Sequence, residues 1–525
     1  MQSPRAWGVP HDEFREHQFD TIQWIINNPH KLLIIEAPVG SGKSAVASGI
    51  GKDGISRVLT YSINLQEQYK FGYKFATVFG LRNYECELLN DIGISKDPYM
   101  ADDCMFPEGM HECPVSMDCL YLIAKDKVKR SRRQALSYAY WMRANWPKEN
   151  PSKYLYLDEA HLIPDIVKDS ATLIFTPEDV ERMGLKMYPT ITLSNQSARQ
   201  RAASKWLVDV QDFLKDEYNK LADIPKTARQ LAHVRAMRRL NDKIGRMGAT
   251  LTTMQYSPKD FHVAWDEEQF KLAPLTSRIY FPRYFMGFAN KVILTSATIG
   301  DPQVLADELG IKDYDFRSVP PTYTPEENPI YVLDSPKMNY RIGNIGKQKQ
   351  ARQIVGLIKD QDPSWAGLIH TSSWNQANDL KERMQKMGLG RRVWIADTAG
   401  TTSDKMKAWE HRMRRVPNTL TISPSFRQGF DPKIPLQINV VAKVPFAPLD
   451  EFGMATMRRN KPFYDLQAGL GVMQAIGRIR RGHKADYEEN GHPRRKINVI
   501  ADGNVNRVLS VFSSFFKDCM ISYEQ

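Results

Sequence analysis

The segment LLIIEAPVGSGKS at 32–44 restricts the fold more than any other stretch of this chain. An apolar run of Leu and Ile ends in Ala37-Pro38-Val39-Gly40-Ser41-Gly42-Lys43-Ser44, the spacing of a phosphate-binding loop between a buried strand and a helix. Such a loop works only if the strand is held in a sheet and the helix begins where the loop ends. Backbone N–H groups freed by Gly40 and Gly42 then converge on one anion, with the helix N-terminus behind it. The requirement points to an α/β chain built on a parallel sheet.

Nine further apolar runs have the same character: RVLTY (57–61), YLYL (154–157), KVILT (291–295), IYVL (330–333), GLIH (367–370), RVWIA (392–396), TLTI (within 418–422), INVVA (438–442) and INVIA (497–501). They are short, rich in Val, Ile and Leu, and spaced as α/β units require. They form two groups, 1–325 and 326–525, with the proline-rich PPTYTPEENP (320–329) between them. At roughly 150 residues per domain the chain holds three or four domains. Two segments interrupt the first group. Residues 81–135 carry cysteines, and residues 170–265 read as helical. In the latter, Trp206, Leu207, Val210, Phe213, Leu214, Tyr218 and Leu221 share one helix face; Leu231, Val234, Met237, Leu240, Ile244 and Met247 share another. A helical hairpin packed on itself is expected there.

The candidate chemistry follows from residue type and position. Lys43 suits the β and γ phosphates of a nucleoside triphosphate, and the Ser44 hydroxyl suits Mg²⁺. The strand YLYL ends in Asp158-Glu159-Ala160-His161. A carboxylate at the end of a neighbouring strand can hold the metal, here Asp158, and the next, Glu159, can orient and deprotonate the attacking water. In Gln474-Ala475-Ile476-Gly477-Arg478-Ile479-Arg480-Arg481, Arg478 and Arg481 lie three apart. They are neighbours on one helix face, as two guanidinium groups reaching one triphosphate must be. Alone, such a run would be a solvated basic patch.

Charge and cysteines narrow the class. Lys and Arg number 72 against 60 Asp and Glu, a formal net charge of +12, with a sequence pI near 9.2. A polyanionic partner is favoured, nucleic acid foremost. The charge is uneven: residues 81–119 hold 2 basic and 9 acidic side chains, and residues 120–148 hold 8 basic and 1 acidic. The latter include Lys125, Lys129 and Arg130, which read equally as a DNA-facing stretch or a solvated helix face. Residues 226–247 carry seven Lys or Arg and one Asp. Five cysteines do not make a secreted disulfide scaffold, and four of them, Cys86, Cys104, Cys113 and Cys119, cluster. No C-x-x-C knuckle is present, which disfavours a zinc ribbon, although four thiolates with His111 as a substitute leave zinc open, and four buried cysteines without any metal are the other alternative. No secretory leader or membrane span is read, so a soluble intracellular protein is expected.

APVGSGKS, DEAH, TSAT at Thr295–Thr298 and QAIGRIRR together resemble a superfamily 2 helicase. LRNYEC (81–86), the three cysteines before DEAH, SFRQGFD (425–431) and KVPFAPL (443–449) narrow the likeness to the XPD/DinG family of iron-sulfur DNA helicases. The resemblance implies two RecA-like motor domains with parallel sheets. The first, 1–80 with 136–169 and 266–325, would be interrupted by an iron-sulfur cluster domain (81–135) and a helical arch-like insert (170–265), and 326–525 would form the second. It implies ATP contacts from Arg15, Gln18, residues 37–44, His161 and Asp431, with Gln474, Arg478 and Arg481 acting across the cleft. Ser296, Ala297, Thr298 and Gln428 would couple hydrolysis to strand movement. Ser62, Asn64, Thr371 and Ser372 would touch the tracking strand, and the four cysteines would hold a [4Fe-4S] cluster as a structural pin in a wedge. Three positions depart from the family pattern: Val39 replaces the usual Thr, Gln428 the usual Glu, and Asn504 a frequent Arg. The phosphate cradle survives the first change because backbone forms it, whereas Gln428 keeps hydrogen bonding and loses a charge.

The implied activity is ATP-dependent unwinding of duplex or forked DNA by a translocase moving 5′ to 3′ on single-stranded DNA, with ATP, Mg²⁺ and the cluster as cofactors and a monomer as the working form. The alternative is a motor that displaces proteins or unwinds RNA-DNA hybrids within a larger repair, replication or defence assembly. A metabolic P-loop kinase explains neither TSAT nor QAIGRIRR.

Overall fold

Two seven-stranded parallel sheets form the frame of the computed structural model, which describes residues 3–91, 98–106, 112–144, 148, 151–185, 195–225, 230–265, 268–321, 323–395, 402–426, 434–479 and 494–523. In chain order the strands are β1 (Leu32–Glu36), β2 (Ser56–Thr60), β3 (Ala76–Thr77), β4 (Arg133–Ser137), β5 (Ser152–Asp158), β6 (Leu173–Phe175), β7 (Phe261–Trp265), β8 (Phe270–Pro274), β9 (Ala289–Ser296) and β10 (Asp315–Ser318). They continue with β11 (Ile330–Leu333), β12 (Gly367–His370), β13 (Val393–Ile395), β14 (Leu420–Ser423), β15 (Ile438–Val441), β16 (Ile497–Ile500) and β17 (Met520–Tyr523). The first sheet runs β10-β1-β9-β5-β2-β4-β3, the second β13-β14-β12-β15-β16-β11-β17. Every apolar run read from the sequence lies on one of these strands. Most of their residues are buried, as helix-covered parallel strands require.

The strands that the sequence pattern misses are informative. β3, β10 and β17 are sheet edges, and β4 lies next to an edge; an edge strand such as Asp315–Ser318 needs no continuous apolar run. The region 170–265 is not wholly helical. Its two long helices, Gln196–Ala222 and Leu231–Tyr256, pack on each other as expected. They rise, however, from an antiparallel sheet, β6-β8-β7, whose last strand ends at Pro274. Trp206, Phe175 and Phe270 cluster where the hairpin meets this sheet, with ring centroids 5.0–6.2 Å apart.

Contacts across the two frames are dense. Helix Lys461–Ile476 of the second packs against helix Pro302–Leu309 of the first, Asn460 Nδ2 donates to Glu308 Oε2 at 2.9 Å, and Gln467 Nε2 donates to Asp165 at 3.1 Å. Gly300 lies at the tightest point. Its φ is +69°, and a Cβ there would stand 2.6 Å from the Val511 carbonyl oxygen and 2.8 Å from Leu466 Cδ1. Helix Glu451–Arg459 also touches the insert. Glu451 pairs with Arg199 and lies 3.1 Å from His262 Nε2, and Arg459 pairs with Asp260 at 2.6 Å. No helix among the described residues is long and apolar enough to cross a membrane.

Candidate functional site

β1 delivers the phosphate-binding loop at its C-terminal end. Gly40 and Gly42 take φ of +88° and +83°, and helix Lys43–Ile50 starts immediately after. Gln18 Nε2 donates to the Ser41 carbonyl at 2.9 Å, and Arg15 donates to the Gly40 carbonyl, so both residues touch the loop backbone. A side chain at position 42 would collide with Gln18 Nε2. Lys43 Nζ rests on the Ala37 carbonyl at 3.0 Å. Ser41 Oγ is buried with no hydrogen-bond partner in the structure, an orphaned polar atom in a cradle of backbone N–H groups, which fits a phosphate oxygen.

β5 lies two strands from β1 and brings in the carboxylates. Asp158 is buried; burial first, then the Glu159 carboxylate, raises its pKa, opposed by Lys43, the Glu159 N–H and Tyr69. Asp158 Oδ1 accepts the Glu159 N–H at 3.0 Å and Oδ2 accepts the Tyr69 hydroxyl at 3.2 Å. Glu159 has φ +54° and ψ +49°, a conformation that costs a residue with a Cβ roughly 1–3 kcal/mol and is typical of strained functional positions. His161 Nδ1 is 3.4 Å from Glu159 Oε2 and 2.7 Å from the Ser296 hydroxyl, which accepts the Thr298 N–H at 3.2 Å. Burial lowers the His161 pKa, so this link between DEAH and TSAT is a neutral hydrogen-bonded relay at pH 7. Glu36 ties the same parts together: its buried carboxylate accepts the N–H groups of Ile299 at 2.8 Å and Gly300 at 3.2 Å, and burial raises its pKa.

The second frame supplies the opposite wall. Gln474 and Arg478 face Glu159, His161, Ala297 and Thr298 across a cleft of about 740 Å³, whose rim also holds Pro38, Val39, Ser62 and Asn64. Residues from four separate sequence motifs thus meet in one space. Arg481, Gln428, Asp431 and His111 lie outside the described residues. Thr371 is buried at the end of β12, and Ser372 donates to Gln376 Oε1 at 3.2 Å. The Asp502 carboxylate accepts the N–H groups of Met338, Val444 and Asn504 at 2.8–2.9 Å.

The cysteines come from four separate turns: Cys86 and Cys119 precede helices Glu87–Asn90 and Leu120–Arg130, Cys104 follows the turn Ala101–Asp103, and Cys113 is buried. All are free thiols. Burial raises the pKa of Cys86 and Cys104, and the neighbouring cysteines add to the rise, so the four share one electrostatic neighbourhood. In kind, a set of four thiols suits a soft metal or cluster. Its arrangement is looser, since among the described residues no three His, Cys, Asp or Glu side chains form a group able to hold a metal ion.

The basic residues divide between two uses. Lys125 and Lys129 line a second cleft, about 850 Å³, with Arg57, Arg143, Tyr121 and Tyr140, whereas Arg130 is exposed and pairs with Asp126 at 2.8 Å. On helix Leu231–Tyr256, Arg235 pairs with Asp103 at 2.5 Å. Arg238 donates to the carbonyls of Ala101, Asp102 and Cys104, and Lys243 lies over the Phe175 ring at 4.3 Å. Three cations of this helix are therefore committed within the protein, two of them to the cysteine-bearing loop. Sequence reading missed Glu36, Tyr69 and Arg238, whose partners are remote in the chain.

Two parallel-sheet frames, one bearing a glycine-rich loop after its first strand and the other an arginine opposite it, with a thiol-rich segment and a helical insert in the first, make a two-lobed α/β fold. In fold it is similar to solved XPD helicase structures. The chain aligns with a solved XPD helicase structure over 100% of both chains, at TM-score 0.58 and 14% identity. It aligns with a structure of XPD in its apo form over 97% of this chain and 100% of that one, at TM-score 0.55 and 12% identity. No family model matches the chain, and no curated protein matches it. At these identities the likeness is one of fold.

Proposed function

We propose that the chain is an ATP-driven helicase that moves 5′ to 3′ on single-stranded DNA and parts duplex or forked DNA. The observation that carries this reading is the single cleft in which Glu159 and His161 face Gln474 and Arg478, with Ser62 and Asn64 on its rim. Lys43 and the loop 37–44 bind the triphosphate, aided by Arg15, Gln18, His161 and Asp431. Ser44 and Asp158 hold Mg²⁺, which when bound screens phosphate charge. Glu159 orients and deprotonates water, while Arg478, with Arg481, stabilises charge on the transferred phosphoryl group. Hydrolysis opens the cleft, and the chain Glu159–His161–Ser296–Thr298, with Gln428, passes that change toward the bound strand.

Strand contacts are assigned to Ser62, Asn64, Ser372, Lys125 and Lys129, with Arg130 a peripheral one; Thr371, buried at the end of β12, is withdrawn from that role. Lys125 and Lys129 share a cleft with two arginines and two tyrosines, a combination suited to backbone and base. A [4Fe-4S] cluster on Cys86, Cys104, Cys113 and Cys119 is the family expectation, with a structural role; iron and sulfide assays with a visible spectrum test it, and colourless protein containing zinc refutes it.

Lys43→Ala is expected to abolish ATP hydrolysis and leave single-strand binding intact. Hydrolysis surviving that change would overturn the site. Strand displacement with 5′-tailed, 3′-tailed, forked and RNA-DNA hybrid substrates then tests polarity and substrate; activity on hybrids alone favours the remodelling alternative.

A further inference from the structure

We propose that Tyr69 is a positioning residue for the magnesium ligands, its hydroxyl holding Asp158 while its neighbour Gln68 holds Ser44, so that one turn ties both to the helix that faces the nucleic-acid strand. The inference rests on the assignment of Ser44 and Asp158 to Mg²⁺.

Tyr69 is fully buried. Its hydroxyl donates to Asp158 Oδ2 at 3.2 Å, so a phenol from the turn after helix Ile63–Glu67 reaches the carboxylate at the end of β5. The preceding residue makes a second tie, Gln68 Nε2 donating to Ser44 Oγ at 3.4 Å. Asp158 is held on every side. Oδ1 accepts the Glu159 N–H, and its carbonyl accepts the Tyr138 hydroxyl at 2.7 Å. Removing the Tyr69 hydroxyl frees the one oxygen of this carboxylate that backbone does not fix.

The path toward the strand is short and stiff. Ser62 caps helix Ile63–Glu67, its side chain accepting the Leu65 N–H, and that helix runs directly into the π-helical turn Gln68–Gly72. Gln66 anchors the helix through donated bonds to Thr77 Oγ1 at 2.5 Å and to the carbonyls of Val78 and Ala135 at 2.8 and 3.2 Å. The Tyr69 ring is wedged against Phe75, centroids 5.3 Å apart. A π turn shifts the side chains that follow it relative to an α-helix and is common at functional sites. Here it places adjacent residues on the two ligands of one ion, while Ser62 and Asn64, a few residues upstream, stand on the cleft rim. A tyrosine buried only for packing could take any backbone carbonyl as partner; this one takes one magnesium ligand while the residue before it takes the other.

The test is Tyr69→Phe, which keeps the ring and deletes the hydroxyl, with Gln68→Leu as a second variant should the first fail to fold. Binding of N-methylanthraniloyl-ATP is titrated against Mg²⁺ by fluorescence, and ATP hydrolysis is measured over the same range with and without a single-stranded oligonucleotide. Loss of one hydrogen bond to a charged group is expected to raise the half-saturating Mg²⁺ concentration about tenfold. Turnover at saturating Mg²⁺ should stay near the parent value. Oligonucleotide should lower the Mg²⁺ requirement of the parent and leave that of Tyr69→Phe unchanged. Gln68→Leu should shift the requirement the same way by less. An unaltered Mg²⁺ dependence in a folded variant of an active parent refutes the inference and leaves the magnesium assignment standing. A loss of nucleotide binding equal at all Mg²⁺ concentrations also refutes it, since that is the result of a purely structural role. A parent that binds nucleotide without regard to Mg²⁺ overturns both.

Discussion

Substituting Gly300 by alanine tests whether the two lobes are registered by close backbone approach. Gly300 lies two residues after TSAT, has φ +69°, and leaves a new Cβ 2.6 Å from the Val511 carbonyl oxygen and 2.8 Å from Leu466 Cδ1. The carbonyl is backbone and cannot swing aside. The left-handed conformation costs an L-residue about 1–2 kcal/mol, and overpacking adds about 1–3 kcal/mol. Restriction of the unfolded chain returns about 0.4–1 kcal/mol, so the net is about 3 kcal/mol against the closed arrangement of the lobes. Gly184 supplies the control: its φ is +63° and a methyl group there would meet nothing within 4 Å, so Gly184→Ala carries only the backbone cost, about 1 kcal/mol. Thermal melting, hydrogen exchange in helix Lys461–Ile476 and ATP turnover are compared for the pair. Gly300→Ala is expected to melt several degrees lower than Gly184→Ala, to exchange faster in that helix and to hydrolyse ATP poorly. Equal melting points and equal exchange in the two variants would refute the reasoning, because the crowding of the new methyl by the Val511 carbonyl and Leu466 is the difference assigned to them.

Arg238→Ala should release the turn Ala101–Asp103 from helix Leu231–Tyr256, because three carbonyls lose a charged donor; exchange of amides 98–106 should accelerate with little change in global melting, and unaltered protection would exclude a latch. His262 is predicted to make stability pH-dependent. Burial, partly offset by Glu451, lowers its pKa below the ordinary 6.5, so on acidification the unfolded state takes up the proton first and stability falls from about pH 6.5 down to the folded-state value. Melting midpoints between pH 8 and 5 should decline more steeply in the parent than in His262→Asn; the slope left in the variant includes His161, lowered for the same reason. Cys113→Ser should abolish any bound iron and impair strand displacement more than ATP hydrolysis, checked by metal analysis and the two assays on one preparation.

Legibility followed the range of the determining interactions. The phosphate loop was readable because its demands are local: two glycines with positive φ, a preceding strand and a following helix. The apolar runs were readable because a strand covered on both faces must be apolar throughout. β7 and β8 were hidden although FHVAW and FKLAP alternate, since two long amphipathic helices dominate the surrounding pattern. The basic stretch 226–247 was legible as charge and silent as to use. Whether an arginine meets a phosphate or a carbonyl depends on what folds against it, and Arg235 and Arg238 meet the acidic turn beside Cys104.

What the sequence determined by itself was the pair of parallel sheets, the nucleotide loop, the acidic DEAH end and the clustering of four thiols, each set by residues adjacent in the chain. Only tertiary structure decided that DEAH and TSAT are joined through His161 and Ser296, that Glu36 buttresses Gly300, and that Tyr69 and Gln68 reach Asp158 and Ser44. Those pairings span tens to hundreds of residues. A hydroxyl or carboxylate has several equally good partners in a sequence, and burial against a particular strand end is what leaves it one.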